Sequence, residues 1–143
     1  MYKFITYSLT MLFIFTVQAQ INLPAGSSAA SVTTTVGLTE VSISYFRPKM
    51  KGRKIFGIDG SALLEYGVMW RTGANSGTTV TLSTPAKIGG TEVPAGTYLI
   101  ITTPGDDQFD FMLYGDPSIG SNFSKMKSNQ ILVNMKVDNL KSS

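Results

Sequence analysis

Thr97-Tyr98-Leu99-Ile100-Ile101-Thr102-Thr103 is the stretch on which the fold turns. It is rich in aromatic and β-branched residues, and apolar side chains fall at odd and even positions alike. A strand of this kind needs cover on both faces, so it belongs in the middle of a sheet. Pro104-Gly105-Asp106-Asp107 then supplies turn chemistry, and Phe109 to Tyr114 returns as a second strand. Upstream, Thr78 to Thr84 alternates, with Val80 and Leu82 on one side and Thr79, Thr81 and Ser83 on the other. Between these runs, Ile88-Gly89-Gly90-Thr91 reads as a tight turn and Val93 to Tyr98 holds another. Further out, Val32, Thr34 and Val36 alternate, Gly37-Leu38 can form a two-residue turn, and Val41, Ile43 and Tyr45 alternate after it. Pro48 ends that hairpin because it offers no ladder donor.

The remaining segments are less regular. Residues 47–62 form a connection rich in Lys, Arg and Gly, residues 63–71 are expected to be extended with a bulge or a close backbone approach at Gly67, and residues 72–77 form a loop. A Gly/Ser/Asn-rich connection over 115–130 has room for one short helix between Gly115 and Lys127, and Ile131 to Val137 makes a last strand. Short strands at this spacing, with no amphipathic helix between them, predict an all-β fold: a single β-sandwich, jelly-roll-like or open-barrel, of short antiparallel strands.

The N-terminus reads differently. Lys3 precedes an apolar run from Phe4 to Val17, and Val17-Gln18-Ala19 offers compact residues for signal peptidase. The run falls short of the roughly 20 residues that span a bilayer. The expectation is a signal peptide over residues 1–19, cleavage between Ala19 and Gln20, and one domain over residues 20–143, periplasmic or secreted and free of the membrane after cleavage. The Trp-containing core is expected to include Trp70 itself, since a large indole is rarely left in water.

Composition restricts the chemistry. The 143 residues contain no His and no Cys. Imidazole general bases, thiolate nucleophiles, disulfides and the commonest metal ligands are therefore absent. A net charge of +3 gives no footprint for nucleic acid. Neither a metal nor a cofactor is expected. Asp106, Asp107 and Asp110 carry the hard oxygens that Ca²⁺ takes, yet they lack calcium-loop spacing and occupy a turn where Asp is common. Ser124 and Lys127 match a Ser-x-x-Lys pattern without its companion motifs.

Two loops carry the remaining interest. Arg47, Lys49, Lys51, Arg53 and Lys54 put five cations within eight residues, with no acid between them. Arg71 follows Trp70 at the mouth of the Thr72–Gly77 loop, where Asn75 also lies. An anion would suit this set, because a guanidinium offers a planar fork of donors. The plainer alternative is that these side chains brace their own loops by binding backbone carbonyls.

Lys51-Gly52-Arg53-Lys54-Ile55-Phe56-Gly57, Tyr66-Gly67, Trp70-Arg71-Thr72-Gly73-Ala74-Asn75 and Pro94-Ala95-Gly96-Thr97-Tyr98 together resemble a bacterial family of exported proteins known as domain of unknown function 2911. The likeness spans about Ser31 to Lys141. It implies a β-sandwich and export, and brings no established activity. The family pattern has an acidic residue after the Ala-Asn pair, where this chain has Ser76. Its members also continue past the last strand into a closing pair. The chain is therefore expected either to complete its sheet with fewer strands or to leave an edge open to a partner.

These readings favour a non-catalytic binding module for a small anionic ligand or a protein partner, with Arg53, Arg71, Asn75, Arg47 and Lys51 as candidate ligand-binding residues. A structural module that pairs through an exposed sheet edge is the alternative. An enzyme using Arg with carboxylate or Tyr groups is the least favoured reading.

Overall fold

The computed structural model describes residues 26–139. The expected signal peptide over residues 1–19 and the expected cleavage between Ala19 and Gln20 lie outside that range. Six strands form one open antiparallel sheet: β1 (Ser28–Val36), β2 (Thr39–Arg47), β5 (Thr78–Leu82), β8 (Gly96–Pro104), β9 (Gln108–Tyr114) and β10 (Ile131–Asp138), in the spatial order β1-β2-β5-β8-β9-β10. Two smaller pairs complete the set. β3 (Phe56–Gly57) runs parallel to β4 (Leu64–Glu65), and β6 (Ala86–Ile88) forms a hairpin with β7 (Thr91–Val93). The fold is all-β and sandwich-like, with its sheet unclosed.

The turns follow from their residues. Val36 pairs with Thr39 across Gly37-Leu38, and Gly37 takes φ 62°, as the two-residue hairpin requires. Gly89 and Gly90 both take positive φ, which lets Ile88 pair with Thr91 in two residues.

Cross-strand partners share a face, so the register divides the core in two. On the first face, Val80, Leu82, Tyr98, Leu113 and Val133 are buried under the β6–β7 hairpin, whose Val93 is fully enclosed. On the second, Leu99, Ile101 and Tyr114 are buried under Ile119, Phe123 and Met126 of the 115–130 connection. This is why β8 is apolar on both sides. The connection contains three short 3-10 turns, at Pro117–Ile119, Phe123–Lys125 and Ser128–Gln130, where the sequence left room for one short helix. Its Gly, Ser and Asn content favours turns over an α-helix, and Asp116 caps the first turn by accepting from the Ser118 backbone N–H at 2.9 Å.

The second face changes character toward β1. Thr33, Ser42, Thr81 and Thr97 lie side by side across four strands, with hydroxyl contacts of 2.9 Å at each end of the row. The alternation seen in Thr78–Thr84 therefore separates a packed face from an open hydroxyl-bearing one.

The two sheet edges also differ. β10 carries Lys136 and Asp138 and has a register break between Ile131 and Val133. β1 has no charged residue, no Pro and no break, and its register with β2 runs unbroken from Ser28–Arg47 to Val36–Thr39. Charges and bulges blunt an edge, and β1 has neither.

Surface electrostatics are sparse. Lys54 Nζ donates to Asp59 Oδ2 at 2.8 Å, and Ser61 donates to Oδ1 from its backbone and its hydroxyl. The Lys54 bond, then those from Ser61, hold the Asp59 carboxyl well below the usual carboxylate range. The Ser118 hydroxyl and backbone lower that of Asp116 in the same way. A lowered carboxyl stabilises the fold fully above its ordinary value of 3.8, and the contribution is lost as pH falls through the folded value. Both groups are exposed, so the effect is small. With no His in the chain, the melting temperature should be flat from about pH 6 to 8 and decline only below about pH 4. Calorimetry across that range checks this, and a cooperative change between pH 6 and 8 would contradict it.

Candidate functional site

The basic connection after β2 folds back against the sheet instead of projecting from it. Lys51 (φ 51°) and Gly52 (φ 70°) form a tight turn, and the Arg53 N–H closes it on the Met50 carbonyl at 3.1 Å. The chain then runs through Ile55-Phe56 and returns through Leu63-Leu64. Leu63 N–H donates to Lys54 O, Leu64 N–H to Ile55 O and Tyr66 N–H to Gly57 O, each at 2.9 Å. Gly67 (φ 83°) redirects it, and its N–H binds Pro104 O. Trp70 then exchanges both backbone hydrogen bonds with Thr102, at 2.7 and 2.8 Å. Trp70 thus extends the sheet alongside β8, beyond the start of β5. The extended stretch expected over 63–71 is broken in two at Gly67 for this reason.

Trp70 is half-buried and not sealed in the core as expected. Its ring packs edge-to-face on Phe56, with centroids 5.6 Å apart, and Phe56 packs in the same manner on Phe109. The indole N–H donates to Gly73 O at 3.0 Å, which ties the ring to the loop that follows. What keeps the ring from closing over is a cavity of about 530 Å³ beside it. Ile55, Phe56, Leu63, Leu64 and Trp70 line it with apolar side chains, joined by Pro48 and Met50 at the turn. Lys49, Arg53 and Arg71 border the same space, and no acidic residue does. The volume falls within the roughly 300–1,000 Å³ of small-molecule sites.

Arg71 occupies the point where the chain leaves the sheet. Its carbonyl accepts from Thr78 N–H at 3.1 Å, closing the 72–77 loop at its base. Gly77 fits there because it has no side chain: a Cβ would lie 2.8 Å from Arg71 O and 3.2 Å from Leu99 Cδ1. Within the loop, the Thr78 hydroxyl donates to Thr72 O, and the hydroxyls of Thr72 and Thr102 are 3.1 Å apart. The Nε of Arg71 is buried and has no hydrogen-bond acceptor among the described residues. Neither ion pair among those residues involves Arg71. A buried donor without a partner costs about 1–3 kcal/mol, so an acceptor that reached it through a small shift of the side chain would relieve that cost.

The structure separates the five candidate residues. Arg53 and Arg71 border one cavity. Arg53 also braces its own turn, donating from Nε to Met50 O and from Nη2 to Lys49 O at 2.9 Å, so one face of its fork is committed. Asn75 (φ 51°) lies in the same loop as Arg71, outside the cavity wall, and its amide reaches Ser27 O at 3.4 Å. Arg47 ends β2 opposite Ser28, and Lys51 is spent on the turn; neither borders the cavity. The apolar wall was not among the sequence candidates. Its signal was the pair of apolar dipeptides, Ile55-Phe56 and Leu63-Leu64, within an otherwise polar connection. The acidic turn is open as well, with Asp106, Asp107, Asp110 and Asp138 around a broad hollow, yet no group of side chains suited to a metal ion occurs among the described residues.

The family model described as "Protein of unknown function (DUF2911)" matches residues 27–143, and the chain belongs to that family. No curated protein and no solved structure matches it.

Proposed function

We propose that this domain is an exported, non-catalytic binding module for a small anionic ligand, seated in the cavity beside Trp70 and held by Arg71. The buried, unpartnered Nε of Arg71 carries the reading. An anionic oxygen there would accept a charge-assisted hydrogen bond, stronger than a neutral one. Arg53 borders the same cavity and adds positive potential, and no carboxylate lines it. The lack of His and Cys removes the commonest general base and the thiolate nucleophile, which favours binding over catalysis at this site.

Arg71→Lys separates binding from bracing, because Lys keeps the charge but loses the planar fork. The unmodified protein should rise in melting temperature with at least one member of a panel of carboxylates, phosphates and acidic sugars. The variant should lose at least about tenfold in affinity for that ligand, the loss of one charge-assisted bond. A panel that shifts neither protein removes the support for this reading.

A second reading rests on β1. Its uncharged, unbroken outer edge suits pairing with another strand, a second copy included. Such pairing predicts a dimer in light scattering that Val32→Lys or Thr33→Pro dissolves. A monomer at all concentrations would set it aside.

A further inference from the structure

We infer that the ligand of the Arg71 cavity is an amphiphile, with one anionic head and an unbranched or aromatic apolar body. The inference rests on the anion-binding reading and adds what the rest of the cavity demands. Its wall joins three cations, Lys49, Arg53 and Arg71, to the hydrocarbon of Ile55, Phe56, Leu63, Leu64 and Trp70. A small hydrated anion such as phosphate would leave that hydrocarbon facing water. An apolar body covers it.

The surface outside the cavity points the same way. Met50, Ile58, Leu63, Val68 and Met69 are all exposed large apolar residues, and all belong to the segment that builds the cavity. Met50 and Leu63, 62% and 59% exposed, line it and also face outward, so the apolar surface continues from the cavity onto the exterior. Met50 and Leu63 thereby widen the apolar surface that the body of a ligand can cover. Methionine in particular adapts to tails of different shape. A medium-length carboxylate would set its head at Arg71, its first carbons against Trp70 and Phe56, and its far end over Leu63 and Met50.

The test uses Trp70, the only tryptophan in the chain, as the reporter. The probes are octanoate, acetate, octanol and inorganic phosphate, followed by Trp70 emission and by melting temperature. Each buried methylene is worth about a fourfold gain, so burying four of them makes octanoate about 200-fold tighter than acetate. Octanoate should move the emission to the blue as water leaves the indole. Leu63→Ser, at an exposed position that spares the fold, should weaken octanoate severalfold and leave acetate unchanged. Arg71→Gln should weaken both acids and leave octanol unchanged.

Phosphate or acetate binding as tightly as octanoate would overturn the amphiphile and leave the anion site standing. Octanol binding as tightly as octanoate would overturn the anion reading along with it, and needs no variant to show. Octanoate that moves neither the emission nor the melting temperature would overturn the inference outright.

Discussion

Tyr114→Ala should destabilise the domain by about 4 kcal/mol, the usual cost of removing a core aromatic, and lower its melting temperature by roughly 15 °C. Tyr114 is fully buried on the second face of the sheet, against Leu99 and Ile101. Its hydroxyl does a second job. It donates to Gln130 Oε1 at 2.7 Å and accepts from the Lys127 N–H at 3.0 Å, pinning the far end of the 115–130 connection to β9. That connection has no α-helix or strand of its own, so its position depends on a few such anchors. Tyr114→Phe keeps the ring and loses only the hydroxyl, and should cost about 1–2 kcal/mol. Denaturant titration of the three proteins checks both values. A Tyr114→Ala cost under about 1 kcal/mol would mean that the second core cluster contributes little.

Gly77→Ala should cost about 3 kcal/mol, through two separate causes. Gly77 has φ 92°, a conformation that side chains rarely adopt. The added Cβ would also come within 2.8 Å of Arg71 O and 3.0 Å of Arg71 Cβ, backbone and stem atoms that cannot swing aside. Gly90→Ala isolates the first cause, because Gly90 has φ 84° and nothing within 4 Å of its Cβ position. That variant should cost only about 1 kcal/mol. Equal costs at the two positions would mean that the loop yields and that Arg71 is not held by it. The expected inequality carries a functional corollary: Gly77→Ala should weaken anion binding more than its loss of stability explains, and Gly90→Ala should not.

The sheet was readable in the sequence wherever side-chain alternation reported a face. β8 announced its central place because both parities were apolar, and Thr78–Thr84 announced one packed and one open face. The hairpin turns were readable from Gly37, Gly89 and Gly90, since few other residues take their backbone angles. What alternation could not convey was the route of residues 48–74. The β3–β4 pairing has two residue pairs, too few for a periodic pattern, and rests on contacts between Ile55-Phe56 and Leu63-Leu64 across a parallel crossover. For the same reason Trp70 was expected within the core: its size argued for burial, while the cavity that keeps it half-exposed forms only once residues 48–64 fold back beside it. Arg53 and Arg71 stood out by type. Which of the five candidates would meet depended on that fold-back, and the turn at Lys51-Gly52 and the end of β2 draw Lys51 and Arg47 away from the cavity.

If the Arg71 guanidinium binds an anion as proposed, proton–nitrogen correlation spectra of the arginine Nε–H groups report the bond at the nitrogen that forms it. The Arg71 signal is assigned by its disappearance in Arg71→Lys. Adding octanoate to the unmodified protein should move that signal downfield and slow its exchange with water, as a charge-assisted hydrogen bond forms, while the signal of Arg47 at the end of β2 stays in place. An Arg71 signal that does not move at saturating octanoate, or that moves no more than that of Arg47, would leave Arg71 no part in binding.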